Sequence, residues 1–556
     1  MSTAELVNVA WRLRETAKGN PDGLGVAEPL KKWVQGKRKY KIVTFRELDD
    51  DSTLLAAGLH AAGAKPGMRM ALMVRPGIDF ISCVFAMLKA GVVMVLIDPG
   101  MGRKNMLRCL EEVEPEGFVA IPLAHAVRAL MRRRFPKAKV NVTVGRRWFW
   151  GGWTIGQLRN RELGDWQPPQ SQATDPAAII FTTGSTGPPK GVLYRHGNFD
   201  RQVTEIQSRY DIQPGETDLP GFPLFALFNC AMGVSTVIPD MDPTRPADVN
   251  PRNIIDPIAD FEISQSFGSP ALWNTVSRYC EDNHVTMPTL RRVLSAGAPV
   301  PPHVIQRVRN SIAPDGDIHT PYGATESLPV ASISGSEVLG ETAAQTKIGK
   351  GVCVGTKFPG IQWRVIEIND GPIENLDDTN EVPRGQIGEL MVQGEVVTWE
   401  YVTRTDANPL HKIYADGTVW HRMGDVGYLD GRDRFWFCGR KAHRVRTAQG
   451  NMFTVPCEAI FNEHEHVYRS ALVGVGEPDK ETPVLIAEPW AEHRPKNAAE
   501  KKRLIDELLE VAKSNSLTSA IGTVLINDSL PVDIRHNSKI FREQLKTWAT
   551  NKLNKT

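Results

Sequence analysis

The stretch FTTGSTGPPKGV, residues 181–192, decides how this chain is read. Gly184 and Gly187 have no side chain to hold backbone N–H groups away from phosphate oxygens, and Thr182, Thr183, Ser185 and Thr186 add hydroxyl donors. Lys190 can set a positive charge against the same oxygens. The loop is nevertheless not of the Walker A kind, which requires a glycine directly before its lysine and a serine or threonine directly after it. Here Pro189 precedes Lys190 and Gly191 follows it. The Pro188-Pro189 pair also forbids a helix where a Walker loop would start one. The expected geometry is strand–loop–strand, with 177–181 before the loop and 192–194 after it. By itself such a cluster reads equally well as a common turn.

Outward from the loop, a chain of 556 residues exceeds one compact core, so two or more domains are expected. Its 66 basic and 64 acidic residues nearly cancel, and that balance calls for no nucleic-acid partner. The cysteines, at 83, 109, 230, 280, 353, 438 and 457, form no CxxC pair. They read as buried, reduced thiols of a cytoplasmic protein rather than as a zinc ribbon or disulfide framework. The N-terminus, MSTAELVNVAWRLRE, has no apolar run of signal-peptide length. Residues 219–239 carry no charge over a length that could span a bilayer. Pro220, Gly221, Pro223, Asn229 and Gly233 interrupt them, so a buried strand and loop beside a site is expected there, and the chain is read as not transmembrane. The stretch 131–153 is basic and then aromatic (MRRRFPKAK, RRWFWGGW). It reads either as a loop whose tryptophans pack on the domain, the favoured reading because no long amphipathic helix is evident, or as a membrane-surface or partner-docking patch.

Between 44 and 130, helix-like and strand-like patterns alternate. TFRELDDDSTLLAAGLHAAGA places Leu48, Leu54, Leu55, Leu59 and Ala62 at helical spacing, with Asp49, Asp50 and Asp51 on the polar side. MRMALMV and VVMVLI read as short buried strands, with FISCVFAMLKAG as the helix between them. Repeated βαβ units imply a mostly parallel sheet with helices on its faces and ligands beyond the carboxyl ends of the strands. From about 351, short strands punctuated by Gly and Pro take over. After Arg440 come a strand-like ALVGVG and a charged helix, NAAEKKRLIDELLEVAKSN. The expected fold class is α/β. A large N-terminal domain of parallel-rich sheets with helices, 1–440, would include a small β-rich subdomain at about 351–440. A small α+β C-terminal lobe, 441–556, would follow.

Further stretches carry chemistry. TPYGATES, 320–327, offers an aromatic face at Tyr322, then Gly323, a hydroxyl at Thr325 and a carboxylate at Glu326. These types suit adenine, a phosphate and its magnesium ion. WHRMGDVGYLD carries Asp425, a carboxylate able to accept both hydroxyls of a ribose, and DRFWFCGRK supplies Arg440 after Gly439. SLPVDIRHNSKIFREQL offers Lys539 in a loop before a helix. In this order, from 44 to Lys539, the stretches resemble the adenylate-forming superfamily of acyl-CoA synthetases, peptide-synthetase adenylation domains and beetle luciferases. The resemblance implies ATP and Mg2+ held between the large domain and a mobile C-terminal lobe. A carboxylate would attack the α-phosphate to give acyl-AMP and pyrophosphate, and a second nucleophile would displace AMP. It implies that residues from Thr182 to Lys190 grip the β- and γ-phosphates. Tyr322 and the Gly297-Ala298-Pro299 turn of VLSAGAPV would sandwich adenine. Thr325 would touch the α-phosphate, Glu326 would hold magnesium, and Asp425 with Arg440 would bind ribose. Lys539 would bridge the substrate carboxylate and the α-phosphate.

Three places depart from the common pattern. Ala226, in FPLFALF, stands where many relatives place a histidine; Ala442 occupies a hinge position often held by Asp or Lys; and the lysine loop reads RHNSK rather than ending in Gly-Lys. With VLYRHGNF and LPVDIRHNSKIFR, the chain is similar to the olefin β-lactone synthetases of bacterial long-chain olefin synthesis. There the substrate is a 2-alkyl-3-hydroxy fatty acid whose own hydroxyl closes a β-lactone. A cleft for two alkyl chains would be walled by Phe222, Phe225, Ala226, Leu227, Phe228 and Met232, and Arg535 and His536 would support Lys539. Partner enzymes of that pathway, if they bind, would dock on 131–153. A long-chain fatty acyl-CoA synthetase and an inactive nucleotide-binding scaffold are the alternatives.

Overall fold

The computed structural model describes residues 6–161, 164–182, 187–222, 225–532 and 540–554, without the side chains of 225–227. Seven strands form one sheet, in the spatial order Trp153–Thr154, Val140–Thr143, Gly117–Ala120, Arg69–Met73, Val93–Leu96, Pro176–Phe181 and Gly191–Arg195. Each neighbouring pair is parallel except the last, which is the antiparallel hairpin around the glycine-rich loop. The strand–loop–strand reading of that loop therefore holds.

The stretch read as helical from its leucine spacing is the helix Phe45–Ala61, and its first turn is capped on both sides. Thr44 Oγ1 accepts from the Glu47 N–H at 3.1 Å while Glu47 Oε2 accepts from the Thr44 N–H at 2.8 Å, a reciprocal cap. Its apolar face packs with the helices Ile78–Lys89 and His196–Tyr210 in the largest core, around Leu55, Phe85 and Phe199. Two of the three aspartates on its polar side meet protein, while Asp50 is exposed. Asp49 Oδ1 accepts at 2.6 Å from the fully buried Lys89 ammonium, and Asp51 pairs with Arg159 at 2.7 Å. A buried ammonium requires such partners, so these charges fix how the two helices sit.

A second sheet of fourteen strands runs through the rest of the large unit. Its parallel half places Ser235–Val237, Thr217–Pro220, Gln265–Gly268, Arg292–Ser295 and Asp317–Ala324 side by side. The β-rich stretch from 351 is continuous with this half. Ala331 and Ser332 of Ser327–Ser334 pair with Lys357 and Thr356, and the antiparallel strands Arg434–Arg440, Thr418–Leu429, Gly388–Gln393 and Gln362–Ile366 follow.

The uncharged stretch 219–239 is buried strand at both ends, but its centre is the helix Phe225–Met232 rather than a loop. FALFNCAM contains neither Gly nor Pro, so nothing local stops a helix there. All seven cysteines are buried and unpaired. Among the described residues no helix is long and apolar enough to cross a membrane.

Beyond Arg440 a separate three-stranded sheet, Val467–Val475, Thr482–Pro489 and Thr523–Ile526, carries a core on each face. One contains Phe461, Leu485 and Leu508, and the other Val484, Leu530 and Leu545. The helix Arg542–Leu553 is tied to this unit by Arg542, whose guanidinium grips Glu458 at 2.5 and 2.9 Å.

Candidate nucleotide site

The base of the glycine-rich loop is pinched shut. The Thr182 N–H donates to the Lys190 carbonyl at 3.0 Å, and the Lys190 N–H donates to Thr182 Oγ1 at 3.0 Å. Thr183, Gly184, Ser185 and Thr186 lie outside the described residues; Gly187 adopts φ +149°, a conformation that favours glycine. The next turn is held from across the chain, where the Gly191 N–H donates to Thr403 Oγ1 at 2.8 Å. Lys190 makes no ion pair among the described residues, and its ammonium lies 4.9 Å from the centre of the Tyr401 ring. Burial lowers its pKa, with the Glu326 charge opposing. A cation held against an aromatic face without a carboxylate partner is suited to an anion from outside.

Tyr401 joins this lysine to Glu326. Its hydroxyl donates to Glu326 Oε1 at 2.6 Å, and Oε2 makes no hydrogen bond among the described residues. The backbone of Glu326 is fixed as well, its carbonyl accepting from the Thr398 N–H at 3.0 Å and from Thr398 Oγ1 at 2.9 Å. The Lys412 ammonium, itself buried, donates to the Thr398 carbonyl. Burial lowers the Lys412 pKa to about 7, and beside it burial lowers His411 to about 4. Thr325 follows the strand Asp317–Ala324, its carbonyl accepting from Tyr194 Oη at 2.5 Å. Tyr194, Thr398, Tyr401 and Lys412 escaped the sequence reading. Nothing marks them locally, because their partners lie far away in the chain.

Tyr322 and Gly323 sit at the carboxyl end of Asp317–Ala324, and Gly297, Ala298 and Pro299 follow the adjacent parallel strand Arg292–Ser295. Both thus occupy the edge where open α/β sheets bind ligands. Gly323 is required by close approach, since a Cβ there would lie 2.8 Å from the Ser327 carbonyl oxygen. Tyr322 Oη donates to Asp425 Oδ2, and Arg440 Nη1 stands 2.9 Å from Oδ1. Asp425 and Arg440 are cross-strand partners, so the register of two antiparallel strands sets this pair. Burial raises the Asp425 pKa against the opposing pull of Arg440, and the Asp425 charge raises that of Arg440. Gly439, just before Arg440, has φ +134°, and a Cβ there would lie 2.6 Å from Thr454 Oγ1.

The expected acyl wall is less uniform. Phe222 is half-buried, its ring 6.4 Å from that of Phe267. Phe228 and Met232 are buried in the largest core, Phe228 lying 6.4 Å from Phe199. Met232 also borders a cleft of about 760 Å³ with Asn8, Trp11 and Gly233. Phe225, Ala226 and Leu227 are helical in backbone, with side chains outside the described residues. Arg535, His536 and Lys539 also lie outside them; the flanking Val532 and Ile540 pair as an antiparallel bridge.

No group of three or more His, Cys, Asp or Glu side chains able to hold a metal occurs among the described residues. The donor set fits a phosphate-bound Mg2+, which takes one or two carboxylates and completes its octahedron with phosphate and water.

An anion-ready lysine on the hairpin of the seven-stranded sheet, with a poised carboxylate and an aromatic–carboxylate–guanidinium triangle on the fourteen-stranded sheet, is the set of groups a nucleotide-using enzyme needs. The chain belongs to the AMP-binding enzyme family, whose model matches residues 13–402. It is an AMP-forming ligase by class, and enzymes of this family use ATP. It is 43% identical over 552 residues to an olefin beta-lactone synthetase of Xanthomonas campestris pv. campestris, covering 98% of each chain. To the protein of that name from Stenotrophomonas maltophilia it is 42% identical over 558 residues, covering 99% of each. Among solved structures, the amide bond synthetase McbA of Marinactinospora thermotolerans shares the fold, with a TM-score of 0.76, 20% identity, and coverage of 97% of this chain and 99% of that one.

Proposed function

We propose that the chain activates a 2-alkyl-3-hydroxy fatty acid with ATP and then closes it to a β-lactone, a step of long-chain olefin biosynthesis. The observation that carries the reading is the similarity, over 98% of the chain, to an olefin beta-lactone synthetase. In the first step a substrate carboxylate oxygen bonds to the α-phosphorus and pyrophosphate leaves. In the second, the 3-hydroxyl oxygen bonds to the carbonyl carbon, its proton goes to a base, and AMP leaves. An attack within one molecule needs no second substrate, and proximity offsets part of the strain of a four-membered ring.

The residues divide the work by charge. Lys190 and the loop from Thr182 neutralise the leaving pyrophosphate. Glu326, held by Tyr401 through one oxygen, offers the other to Mg2+, which would supply charge neutralisation on the phosphates. Tyr322 and the turn at Gly297 flank adenine, and Asp425 with Arg440 takes the ribose. Lys539 bridges carboxylate and α-phosphate, with Arg535 and His536 behind it. Phe222 and the helix Phe225–Met232 lie on the acyl side. Residues 1–440 and 441–556 form the two units, with Lys539 on the smaller, mobile one. A cytoplasmic location belongs to this reading and is supported by seven buried, unpaired thiols.

Mass spectrometry of ATP reactions with a 2-alkyl-3-hydroxy acid, run with and without CoA, tests the proposal. The expected product is lighter than the acid by one water and forms with AMP in the absence of CoA. Product that appears only with CoA would make the chain an acyl-CoA synthetase instead.

A further inference from the structure

Between Glu116 and Glu162 the chain has no acidic residue, although it has ten arginines and lysines there, in a protein whose net charge is only +2. Part of this charge is neutralised by neighbours: Arg134 pairs with Glu111, Lys137 with Glu114, and Arg159 with Asp51 and Asp79. Arg132, Arg133, Arg146 and Arg147 make no ion pair among the described residues and are exposed.

Exposed apolar groups share this surface. The helix Pro122–Leu130 turns Leu123, Val127 and Leu130 outward, at spacings of four and three that put them on one face, and they are 67, 38 and 81% exposed. His125, on the opposite face, is buried and bonds the Val142 carbonyl at 2.9 Å. Trp150 stacks on His125 at 5.9 Å between ring centres and donates from Nε1 to Thr143 at 3.0 Å. Trp148 and Phe149 lean on Trp150, at 5.4 and 5.2 Å, and face outward, 57 and 72% exposed. Trp150 thus serves as a post that fixes the loop 146–150 beside the helix. Of the two readings of this stretch, packing on the domain is right for Trp150 and wrong for Trp148 and Phe149. Trp153 is half-buried, under the Arg161 guanidinium at 4.3 Å.

We propose that this face docks on the surface of an anionic lipid bilayer. Large apolar and aromatic tips flanked by unpaired guanidinium groups match an interface whose outer layer is negatively charged and whose next layer is hydrocarbon. Trp and Arg are the side chains that tolerate that boundary, each having an apolar body and a polar end. The position agrees, because the patch lies at the edge of the seven-stranded sheet beyond Val140–Thr143, whereas the candidate nucleotide site lies at the other sheet's carboxyl edge and at the hairpin on the far side of the seven-stranded sheet. Docking of this kind leaves the nucleotide site free and is independent of the reaction proposed above.

Flotation of the full chain with vesicles of phosphatidylcholine, alone or mixed equally with phosphatidylglycerol, tests the proposal without measuring catalysis. Binding is expected to the anionic vesicles, to weaken as salt is raised, and to fall about tenfold or more in Trp148→Ser/Phe149→Ser. Arg132→Glu/Arg133→Glu should fall similarly, while Trp33→Ser, an exposed tryptophan elsewhere, should bind like the parent. Thermal melting of each variant guards against loss by unfolding. Three results would each overturn the proposal: no binding to anionic vesicles; equal loss in Trp33→Ser; or a parent dimer that the Trp148/Phe149 variant splits with no change in flotation, which would make the face an interface between copies of this chain.

Discussion

Two buried ion pairs sit on the same strand, Thr418–Leu429, three residues apart, and they serve different ends. Arg422 pairs with Glu389 at 2.7 Å, and neither side chain has any exposure. Arg422 also donates to the carbonyls of Gly371 and Asn369, while Lys441 adds a second cation to Glu389 at 2.8 Å. Asp425 is as deeply buried, but its single cation, Arg440, is 35% exposed, and its other partner is a tyrosine hydroxyl. The first cluster is closed by protein groups on every side and ties the β-rich strands together. The second leaves one side open. Burial of a charge therefore does not by itself mark a site; a buried charge whose partner still faces outward has room for a ligand.

The sharpest break would come from the cation that neither pair contains. Lys539→Ala is expected to lower adenylation by about 10²–10³-fold, the loss typical of one charge-stabilising donor, while ATP binding followed by calorimetry stays close to parental. Normal turnover would remove Lys539 from the chemistry. The closed pair should be the most costly for stability. Arg422→Ala leaves Glu389 with one cation and should destabilise by about 3–5 kcal/mol in denaturant unfolding. Activity per folded molecule should persist, and a stable but inactive variant would mean that the two clusters are coupled.

Tyr401→Phe keeps the ring beneath Lys190 and removes the hydroxyl from Glu326. Loss of a hydrogen bond to a charged group, about 1.5–3 kcal/mol, predicts a rise of about tenfold or more in the Mg2+ concentration needed at saturating ATP. An unchanged Mg2+ profile would show that Glu326 needs no such support.

A test of pH dependence concerns Lys412. Its folded pKa, about 7, lies below the 10.5 of an unburied lysine, so above pH 7 the unfolded chain binds more protons at this group than the folded one. By linkage its contribution makes stability rise with pH from about 7 toward 10 and is flat below about 7. Lys412→Met should lose that part of the rise when melting temperatures of variant and parent are subtracted across this range. A difference independent of pH would place the lysine's folded pKa elsewhere.

Much of this was legible in residue order. The helical spacing of Leu48, Leu55 and Leu59 and the proline-stopped loop at 188–189 are local features, governed by neighbours within four positions. Glu326, Asp425 and Arg440 were also singled out as candidates, because they sit in short motifs, and the structure pairs Asp425 with Arg440. What could not be read depends on distance along the chain. Tyr401 meets Glu326 across seventy-five positions, and Asp49 finds Lys89 across forty. The β-rich strands join the parallel half of the sheet through the pairing of Ala331 and Ser332 with Lys357 and Thr356.

The amino-acid sequence by itself determined most of the elements, the non-Walker loop and the types of group offered for a nucleotide, since backbone sterics and side-chain chemistry act locally. Only the tertiary structure decided which charges are closed off and which stay open, and which tryptophan of RRWFWGGW packs while its neighbours project. Those outcomes turn on burial and on partners brought from elsewhere in the chain, and neither is a property of any one stretch.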